Sequence, residues 1–296
     1  MTILITGVNG QLGHDAAKVL QARGHRVYGC GRGEGAGPFY RQLDITDGAA
    51  VDALLDELRP DAVLHCAAWT AVDAAEDHEA ECRAVNVTGT RNLARACRRT
   101  DAKLIYISTD YVFPGDGEEP WKPEDTRFGP LNVYGQSKLD GEREAAAAEK
   151  LFIVRIAWVF GMNGGNFVKT MRRVCSTHDT VRVVADQIGT PTYTADLAPL
   201  LADMLESEKY GIYHATNEGG YISWYDFTKE ICRQAGLDTR IVPVTTEEYG
   251  LSRALRPRNS RLDKSGLAER GFTPLPPWQD ALARFLKELK ETEGTI

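Results

Sequence analysis

The sequence predicts an α/β fold in which a doubly wound parallel sheet is accompanied by a smaller α/β lobe. In the first half of the chain, short apolar runs typical of strands alternate with segments that show helical spacing. The runs are apolar throughout, which is typical of a parallel sheet covered by helices on both faces. A glycine-rich turn at residues 7–13 separates the first strand from the first helix. The chain has 296 residues, of which 43% are hydrophobic, and this is enough to bury a sizeable core.

The elements of the first half follow one another as strand–helix–strand units, and their crossovers should be right-handed. Strands are predicted at Thr2–Thr6, Arg26–Cys30, Ala62–Ala67, Lys103–Ser108 and Phe152–Val159. Helices are predicted at Gln11–Ala22, Asp47–Leu58, Glu79–Arg98 and Tyr134–Lys150.

The second half of the chain is less regular. It contains predicted helices at Asn166–Ser176, Thr194–Glu206, Ser223–Ala235 and Trp278–Lys290, and short strands at Val181–Val184 and Gly211–Ala215. Ser223 and Asp226 have the spacing of a capping box. We predict a sheet domain over residues 1–160, to which the chain returns around 189–215, and a lobe formed mainly by residues 161–296.

The composition excludes several classes of function. The net charge of -7, from 35 basic and 42 acidic residues, argues against nucleic acid or an anionic membrane as the main partner. No apolar run approaches the roughly 18–20 residues that span a bilayer, and residues 2–6 read as a strand, so we expect a cytoplasmic protein. The six cysteines form no Cys-x-x-Cys pair and the histidines no His-x-x-x-His pair, so no metal site is predicted.

The glycine-rich turn predicts a dinucleotide site of Rossmann type. Such a turn lets the backbone approach a pyrophosphate, and the following helix offers free N–H groups and the positive end of its dipole. A glycine trio alone is often only a turn, but here a strand precedes it and a helix follows it. We therefore predict that the cofactor contacts Gly7, Gly10, Gln11, Leu12 and Gly13.

The end of the second strand indicates which cofactor is used. An acidic residue there would bind the ribose 2′-hydroxyl of NAD, but this strand ends with Gly31 and Arg32. A guanidinium pairs well with a 2′-phosphate, so NADPH is favoured, while NADH stays open because Arg32 could simply face solvent. Two further groups of residues follow later strands and are predicted to border the cofactor: Asp44 and Ile45, and Ala67, Ala68, Trp69 and Thr70.

Tyr134 and Lys138 predict proton transfer through a phenol. They lie four residues apart and so share one face of a helix. A nearby ammonium group is expected to lower the pKa of the phenol, whose ordinary value is about 10. Taken alone, the pair would more often be a solvated helix face. Together with the glycine turn and Thr109 at the end of a preceding strand, it predicts proton donation to a carbonyl oxygen that receives a hydride.

These patterns resemble the extended short-chain dehydrogenase/reductase family. More narrowly, residues 68–73, 108–113, 130–135, 155–161, 165–167 and 186–192 resemble segments of dTDP-4-dehydrorhamnose reductases. The resemblance implies reduction of the 4-keto group of dTDP-4-dehydro-β-L-rhamnose with NADPH or NADH, by an NAD(P)-binding domain and a substrate-binding lobe. A homodimer is compatible with this prediction.

The same resemblance implies roles for individual residues. Tyr134 would donate the proton, Lys138 would be its partner, and Thr109 would tune Tyr134 and contact the sugar. Tyr134 and Lys138 are also predicted to contact the cofactor, Lys138 by holding the nicotinamide ribose. Further substrate contacts are implied for Asp110, Trp158, Asn166 and Arg258. A surface position without function is the other interpretation of Arg258.

Two alternatives remain at this stage. One is another nucleotide-sugar reductase or epimerase of the same superfamily, which would keep Tyr134, Lys138 and the glycine turn but bind a different base or sugar. The other is a regulatory subunit that binds NADP without catalysis, against which the intact Thr109, Tyr134 and Lys138 argue.

Overall fold

The computed structural model describes residues 1–35 and 37–293. The strands are β1 (Thr2–Thr6), β2 (Arg26–Gly31), β3 (Tyr40–Gln42), β4 (Ala62–His65), β5 (Lys103–Thr109), β6 (Leu151–Ile156), β7 (Val159–Phe160), β8 (Thr180–Val184), β9 (Ile188–Gly189), β10 (Thr192–Tyr193), β11 (Gly211–His214), β12 (Ile222–Ser223) and β13 (Arg240–Val244). The helices are α1 (Gln11–Ala22), α2 (Gly48–Leu58), α3 (Val72–Ala75), α4 (Glu79–Arg83), α5 (Thr90–Thr100), α6 (Val133–Ala145), α7 (Phe167–Cys175), α8 (Thr194–Leu205), α9 (Trp224–Ala235), α10 (Thr246–Tyr249), α11 (Ser265–Glu269) and α12 (Trp278–Glu293).

A parallel sheet with the order β11-β6-β5-β4-β1-β2-β3 forms the centre of the molecule. Each neighbouring pair in this sheet is parallel. The predicted fold class is therefore confirmed. The strand order reverses between β1 and β4, and ligands of such sheets bind at the carboxyl ends of the strands beside this point.

Helices cover both faces of the sheet. On one face, α1 and α8 pack on the strands through buried side chains such as Leu12, Leu20 and Leu201. On the other face, α2, α5 and α6 bury a second cluster that includes Val51 and Leu93. The central strands are thus enclosed on both sides, which explains why their sequences are mainly apolar rather than alternating.

The lobe has its own core. It combines α7, α9 and α12 with the parallel pair β8 and β13, around buried aromatic residues that include Phe160, Phe227 and Phe285. The predicted capping box at the start of α9 is confirmed, since the Ser223 hydroxyl and the Asp226 carboxylate both bond to the opposite backbone N–H. After α8 the chain returns to the sheet and adds β11 beside β6.

Three predicted elements differ most from the structure. The strand predicted at Phe152–Val159 ends at Ile156, because Trp158 has a positive φ of 49° that no extended strand can contain. The helix predicted at Glu79–Arg98 is interrupted by a π-helical turn at Ala84–Gly89. The helix predicted at Tyr134–Lys150 ends at Ala145, since the chain must turn before it enters β6. Among the described residues, no helix combines the length and the apolar character needed to cross a bilayer.

Candidate active site

A cleft of about 540 Å³ lies at the carboxyl edge of the sheet, between the sheet domain and the lobe. Its wall is formed by the glycine turn, the ends of β4, β5 and β6, the first turns of α6, and the starts of α7 and α9. The cleft brings together many of the residues predicted from the sequence: Gly7, Gly10, Gln11, Leu12, Gly13, Ala67, Ala68, Thr70, Thr109, Asp110, Tyr134, Lys138, Trp158 and Asn166.

One end of the cleft is a cradle made of backbone. Gly7 has a φ of +68°, and a Cβ added to it would lie 2.8 Å from the Cα of Ala67. A Cβ on Gly13 would overlap the carbonyl oxygen of Gly7. Gly10 precedes α1 in an extended conformation, and no side chain caps the first turn of this helix. The cradle therefore fits a dinucleotide, because it offers a helix N-terminus and a close approach to an anionic group.

A loop from the lobe closes on this cradle. The Asn163 amide donates to the carbonyl oxygen of Asn9 at 2.6 Å. The Asn166 amide donates to Gln11 Oε1 at 3.1 Å, while its own oxygen caps α7 by accepting from the N–H of Lys169. Asn166 thus lies between the cradle and the lobe, and its predicted contact with the substrate remains a prediction.

The residues predicted around the adenosine half of the cofactor lie outside the cleft lining. Gly31 ends β2, and Arg32 follows it with an exposed side chain. Asp44 is also exposed, and its Oδ1 accepts hydrogen bonds from the N–H and hydroxyl of Thr46. Ile45 is buried against Gly89. The roles of these four residues toward the cofactor remain predictions.

Trp69 does not line the cleft, although its neighbours Ala68 and Thr70 do. Its indole N–H donates to the carbonyl oxygen of Ala71 at 3.1 Å. Its backbone N–H donates to Asn86, a buried residue of the π-helical turn, at 2.8 Å. Trp69 therefore shapes the loop after β4, while the loop itself carries the surface that faces the cleft.

Arg258 also lies outside the cleft lining. It is exposed, its Nη2 donates to Glu247 at 3.0 Å, and its Nε lies 3.7 Å from Asp186. These two carboxylates satisfy the guanidinium in this arrangement, so a substrate diphosphate would have to compete with them. The substrate role of Arg258 remains a prediction.

The other end of the cleft carries the side chains capable of proton transfer. Thr109 ends β5, and its hydroxyl donates to Asp110 Oδ1 at 2.9 Å. Burial raises the pKa of Asp110 to about 6. Its Oδ2 is buried without a hydrogen-bond partner among the described residues, although the Ser260 hydroxyl is close enough to the carboxyl to lower its pKa. A buried acceptor without a partner is costly, so this oxygen is suited to accept a hydrogen bond from a hydroxyl group of a ligand.

Tyr134 and Lys138 lie on α6, which Asn132 caps through a hydrogen bond from the N–H of Gly135 to Oδ1 at 2.7 Å. Lys138 is buried, and its Nζ donates to the carbonyl oxygen of Ile107 at 2.7 Å. Burial lowers the pKa of Lys138 to about 7. The expected lowering of the Tyr134 pKa is not found: burial, with the charge of Asp110, raises it. Tyr134 is therefore a protonated phenol at neutral pH.

A buried ion pair supports this end of the cleft from below. Arg155 on β6 and Glu142 on α6 form two hydrogen bonds of 2.8 Å each, and their side chains are 0% and 6% exposed. Glu142 also accepts a 2.5 Å hydrogen bond from Ser108, the residue before Thr109. The pair thus joins α6 to β5. Glu142 lies four residues after Lys138, and this helical spacing was the signal in the sequence that could have found it.

Other cleft residues were also missed by sequence reasoning. Tyr111 follows Asp110 and packs edge-on against Tyr134, with ring centroids 5.7 Å apart. Trp224, the first residue of α9, stacks on Trp158 with a centroid distance of 3.6 Å. Trp224 and Trp158 are distant in sequence, so only the folded chain brings them together.

The fold and the cleft are those of NAD(P)-binding proteins of the short-chain dehydrogenase/reductase type. Residues 1–291 match the family described as the RmlD substrate binding domain, and the chain belongs to this family. The resemblance stated from the sequence is thereby confirmed.

Individual relatives cover nearly the whole chain. A dTDP-4-dehydrorhamnose reductase from Streptomyces griseus is 46% identical over 94% of this chain and 91% of its own length. A dTDP-4-keto-6-deoxy-D-glucose reductase from Streptomyces niveus is 36% identical over 98% of both chains. The crystal structure of a dTDP-4-dehydrorhamnose reductase from Bacillus anthracis in complex with NADP matches this fold with a TM-score of 0.90. The two sequences are 40% identical, and the match covers 97% of this chain and 100% of that chain.

Proposed function

We propose that the protein reduces the 4-keto group of dTDP-4-dehydro-β-L-rhamnose to give dTDP-β-L-rhamnose, with NADPH as the preferred reductant and NADH as the alternative. The observation that carries this proposal is one cleft with a glycine cradle at one end and Thr109, Asp110, Tyr134 and Lys138 at the other. The relatives named for this reaction and the NADP complex of one of them support the same conclusion.

The cradle of Gly7, Gly10 and Gly13 would hold the cofactor, which supplies a hydride when bound. The chain's own part in the reaction is to bind the sugar, orient its carbonyl group and provide a proton. Tyr134 suits the last task because its raised pKa keeps the phenol protonated until charge develops on the carbonyl oxygen.

The neighbours of Tyr134 would bind the sugar and restore the proton of the phenol. The Thr109 hydroxyl lies beside Tyr134 at the end of β5 and can share the substrate oxygen with it. Asp110 offers its unpartnered Oδ2 to a sugar hydroxyl. Lys138, with a pKa of about 7, is able to carry a proton at neutral pH and can return one to the phenolate.

The absorbance of reduced nicotinamide tests this proposal. The protein is mixed with dTDP-4-keto-6-deoxy-D-glucose, a 3,5-epimerase, and NADPH or NADH in turn. We expect consumption of the reductant that requires both proteins, with dTDP-rhamnose as the product. Cofactor binding without consumption of either reductant would contradict the proposal and favour a regulatory subunit.

Omission of the epimerase tests a second candidate. The Streptomyces niveus relative is named for the keto sugar that has not been epimerised, and it is 36% identical to this chain. Equal rates with and without the epimerase would favour that reaction over the reduction of the rhamnose precursor.

Two properties of the assembly belong to the same proposal. We expect the protein to act in the cytoplasm, because the nucleotide sugar and the reduced nicotinamide that it would use are intracellular metabolites. We also expect a homodimer, and light scattering on the purified protein in solution distinguishes it from a monomer.

A further inference from the structure

Trp158 is held in an unfavourable backbone conformation at the wall of the cleft. Its φ of +49° lies in the left-handed region, which a bulky side chain adopts only when its surroundings compel it. It follows Ala157 and the end of β6, and its side chain lines the cleft together with Asp110 and Tyr134. The surroundings of Trp158 therefore fix a side chain that faces the reacting end of the cleft.

Those surroundings belong to the second half of the chain. On one side, the indole of Trp224 stacks on Trp158 at 3.6 Å with an interplanar angle of 15°. On another, Gly189 approaches so closely that an added Cβ would lie 2.9 Å from Trp158 Cε2. The Trp158 carbonyl oxygen also accepts a hydrogen bond from the N–H of Thr192 at 3.2 Å. Two separate segments, residues 189–192 and the start of α9, thus hold this residue.

Trp224 is itself firmly placed. It is the first residue of α9 and lies within the capping box, between Ser223 and Asp226. Its ring also packs against Phe167 of α7, with centroids 4.4 Å apart. The stack is therefore continuous with the aromatic core of the lobe, which makes Trp224 a rigid support rather than a mobile surface side chain.

We infer that Trp224 is a positioning residue for the sugar, which acts by holding Trp158 at the wall of the cleft against the apolar side of a deoxysugar. The inference rests on the proposed function, because it assigns Trp158 to the sugar rather than to the cofactor. The cradle for the cofactor is formed by other segments, so loss of the stack should affect the affinity for the sugar and leave that for NADPH intact.

Trp224→Ala, Trp224→Phe and the control Tyr225→Ala test the inference. Tyr225 is the next residue of α9, and it lies outside the cleft lining. For Trp224→Ala we expect KM for the sugar to rise roughly 10-fold or more, the scale of lost apolar contacts in a binding pocket. The kcat and the Kd for NADPH should change less than about 3-fold, since no group that donates the proton is altered. Trp224→Phe should restore KM toward the wild-type value, and Tyr225→Ala should leave it unchanged.

Circular dichroism in the far ultraviolet supplies a readout independent of activity. The electronic transitions of two stacked indoles couple and give a pair of bands of opposite sign in the spectrum. Both Trp224 variants should lose this pair of bands, whereas only Trp224→Ala should lose affinity for the sugar. Gly189→Ala tests the other side of Trp158 if Trp224→Ala does not fold, because its Cβ must displace the indole. It should also raise KM.

The outcomes separate the inference from the proposed function. Wild-type protein that turns over the sugar, with an unchanged KM in Trp224→Ala or Gly189→Ala, would overturn the inference alone. A parallel loss of kcat, sugar affinity and NADPH affinity would also overturn it, because that result indicates general damage. No turnover by the wild-type protein would overturn both.

Discussion

The two ends of the cleft are built from different materials. The cradle end consists of backbone and small residues, among which Gly7 and Gly13 leave no room for a Cβ. The reacting end consists of side chains that can ionise, of which Asp110 and Lys138 are buried and Tyr134 is half-buried, and desolvation displaces the pKa of all three from its ordinary value. One end recognises its ligand by shape and hydrogen-bond donors, whereas the other depends on the electrostatics of a buried environment.

This difference indicates how pH and the loss of a charged partner should affect each end of the cleft. A cradle of backbone groups has no ionisable side chain, so pH should affect its binding of the cofactor little. A buried reacting end is sensitive to any unpaired charge, and it is supported by the ion pair of Arg155 and Glu142. The four predictions below perturb one end at a time.

The largest effect is expected from Arg155→Met. This change leaves the Glu142 carboxylate buried without its partner, so the free energy of unfolding should fall by about 3–5 kcal/mol. Urea denaturation measures it. Arg99→Met is the matched control, because Arg99 pairs with Asp52 and Asp56 at the surface and should contribute little. Similar losses in both variants would contradict a special role for the buried pair.

Tyr134→Phe should remove catalysis and spare the cradle. Loss of the proton donor should lower kcat on the order of 100-fold or more. The Kd for NADPH, measured by fluorescence titration, should stay nearly constant. Tyr221→Phe serves as the control, because that hydroxyl donates to the carbonyl oxygen of Leu262 outside the cleft. An unchanged kcat in Tyr134→Phe would remove this residue from the proton-transfer role.

The buried Lys138 should make stability depend on pH. Its pKa is about 7 in the folded protein and 10.5 ordinarily, so between these values unfolding takes up a proton. The free energy of unfolding should therefore rise with pH across this window, by at most about 1.4 kcal/mol per pH unit from this group. Urea denaturation of the wild type and Lys138→Met at several pH values checks it. Parallel slopes in the two proteins would show that Lys138 does not titrate there.

The smallest effect is expected at the rim of the cradle. If the exposed Arg32 pairs with a 2′-phosphate, Arg32→Ala should raise the Kd for NADPH roughly 10-fold, the scale of a charge-assisted contact. The Kd for NADH should stay unchanged. Arg26→Ala, at the other end of β2, is the control. Equal effects of Arg32→Ala on both cofactors would place Arg32 away from the phosphate.

The sequence predicts the sheet and the cradle well because both depend on local pattern. The bounds of β1 and α1 agree with the prediction, since apolar spacing and a glycine turn are written in consecutive residues. The short β3 was missed because Tyr40–Gln42 is polar and half-exposed, so it shows no apolar run. The π-helical turn was missed because it has no pattern that differs from that of a helix.

The reacting end was only partly predictable. The spacing of Tyr134 and Lys138 places both on one helix, but the direction of their pKa shifts depends on burial, which no spacing reports. Arg155, which supports the cleft through Glu142, and Trp224, which lines it, come from distant segments and take these places only through tertiary packing. Long-range contacts of this kind carry no signal in a single sequence.

The return of the chain to the sheet has a consequence for dividing the molecule. A fragment that ended at residue 160 would lack α8, which covers one face of the sheet. It would also lack β11, all four residues of which pair with β6. Its apolar β6 would become an open edge, a template for pairing with other copies. Swapping everything after residue 160 between relatives would therefore make the sheet of one protein pack against α8 and β11 of the other, whereas grafts that keep residues 194–214 with the sheet preserve the packing of one core.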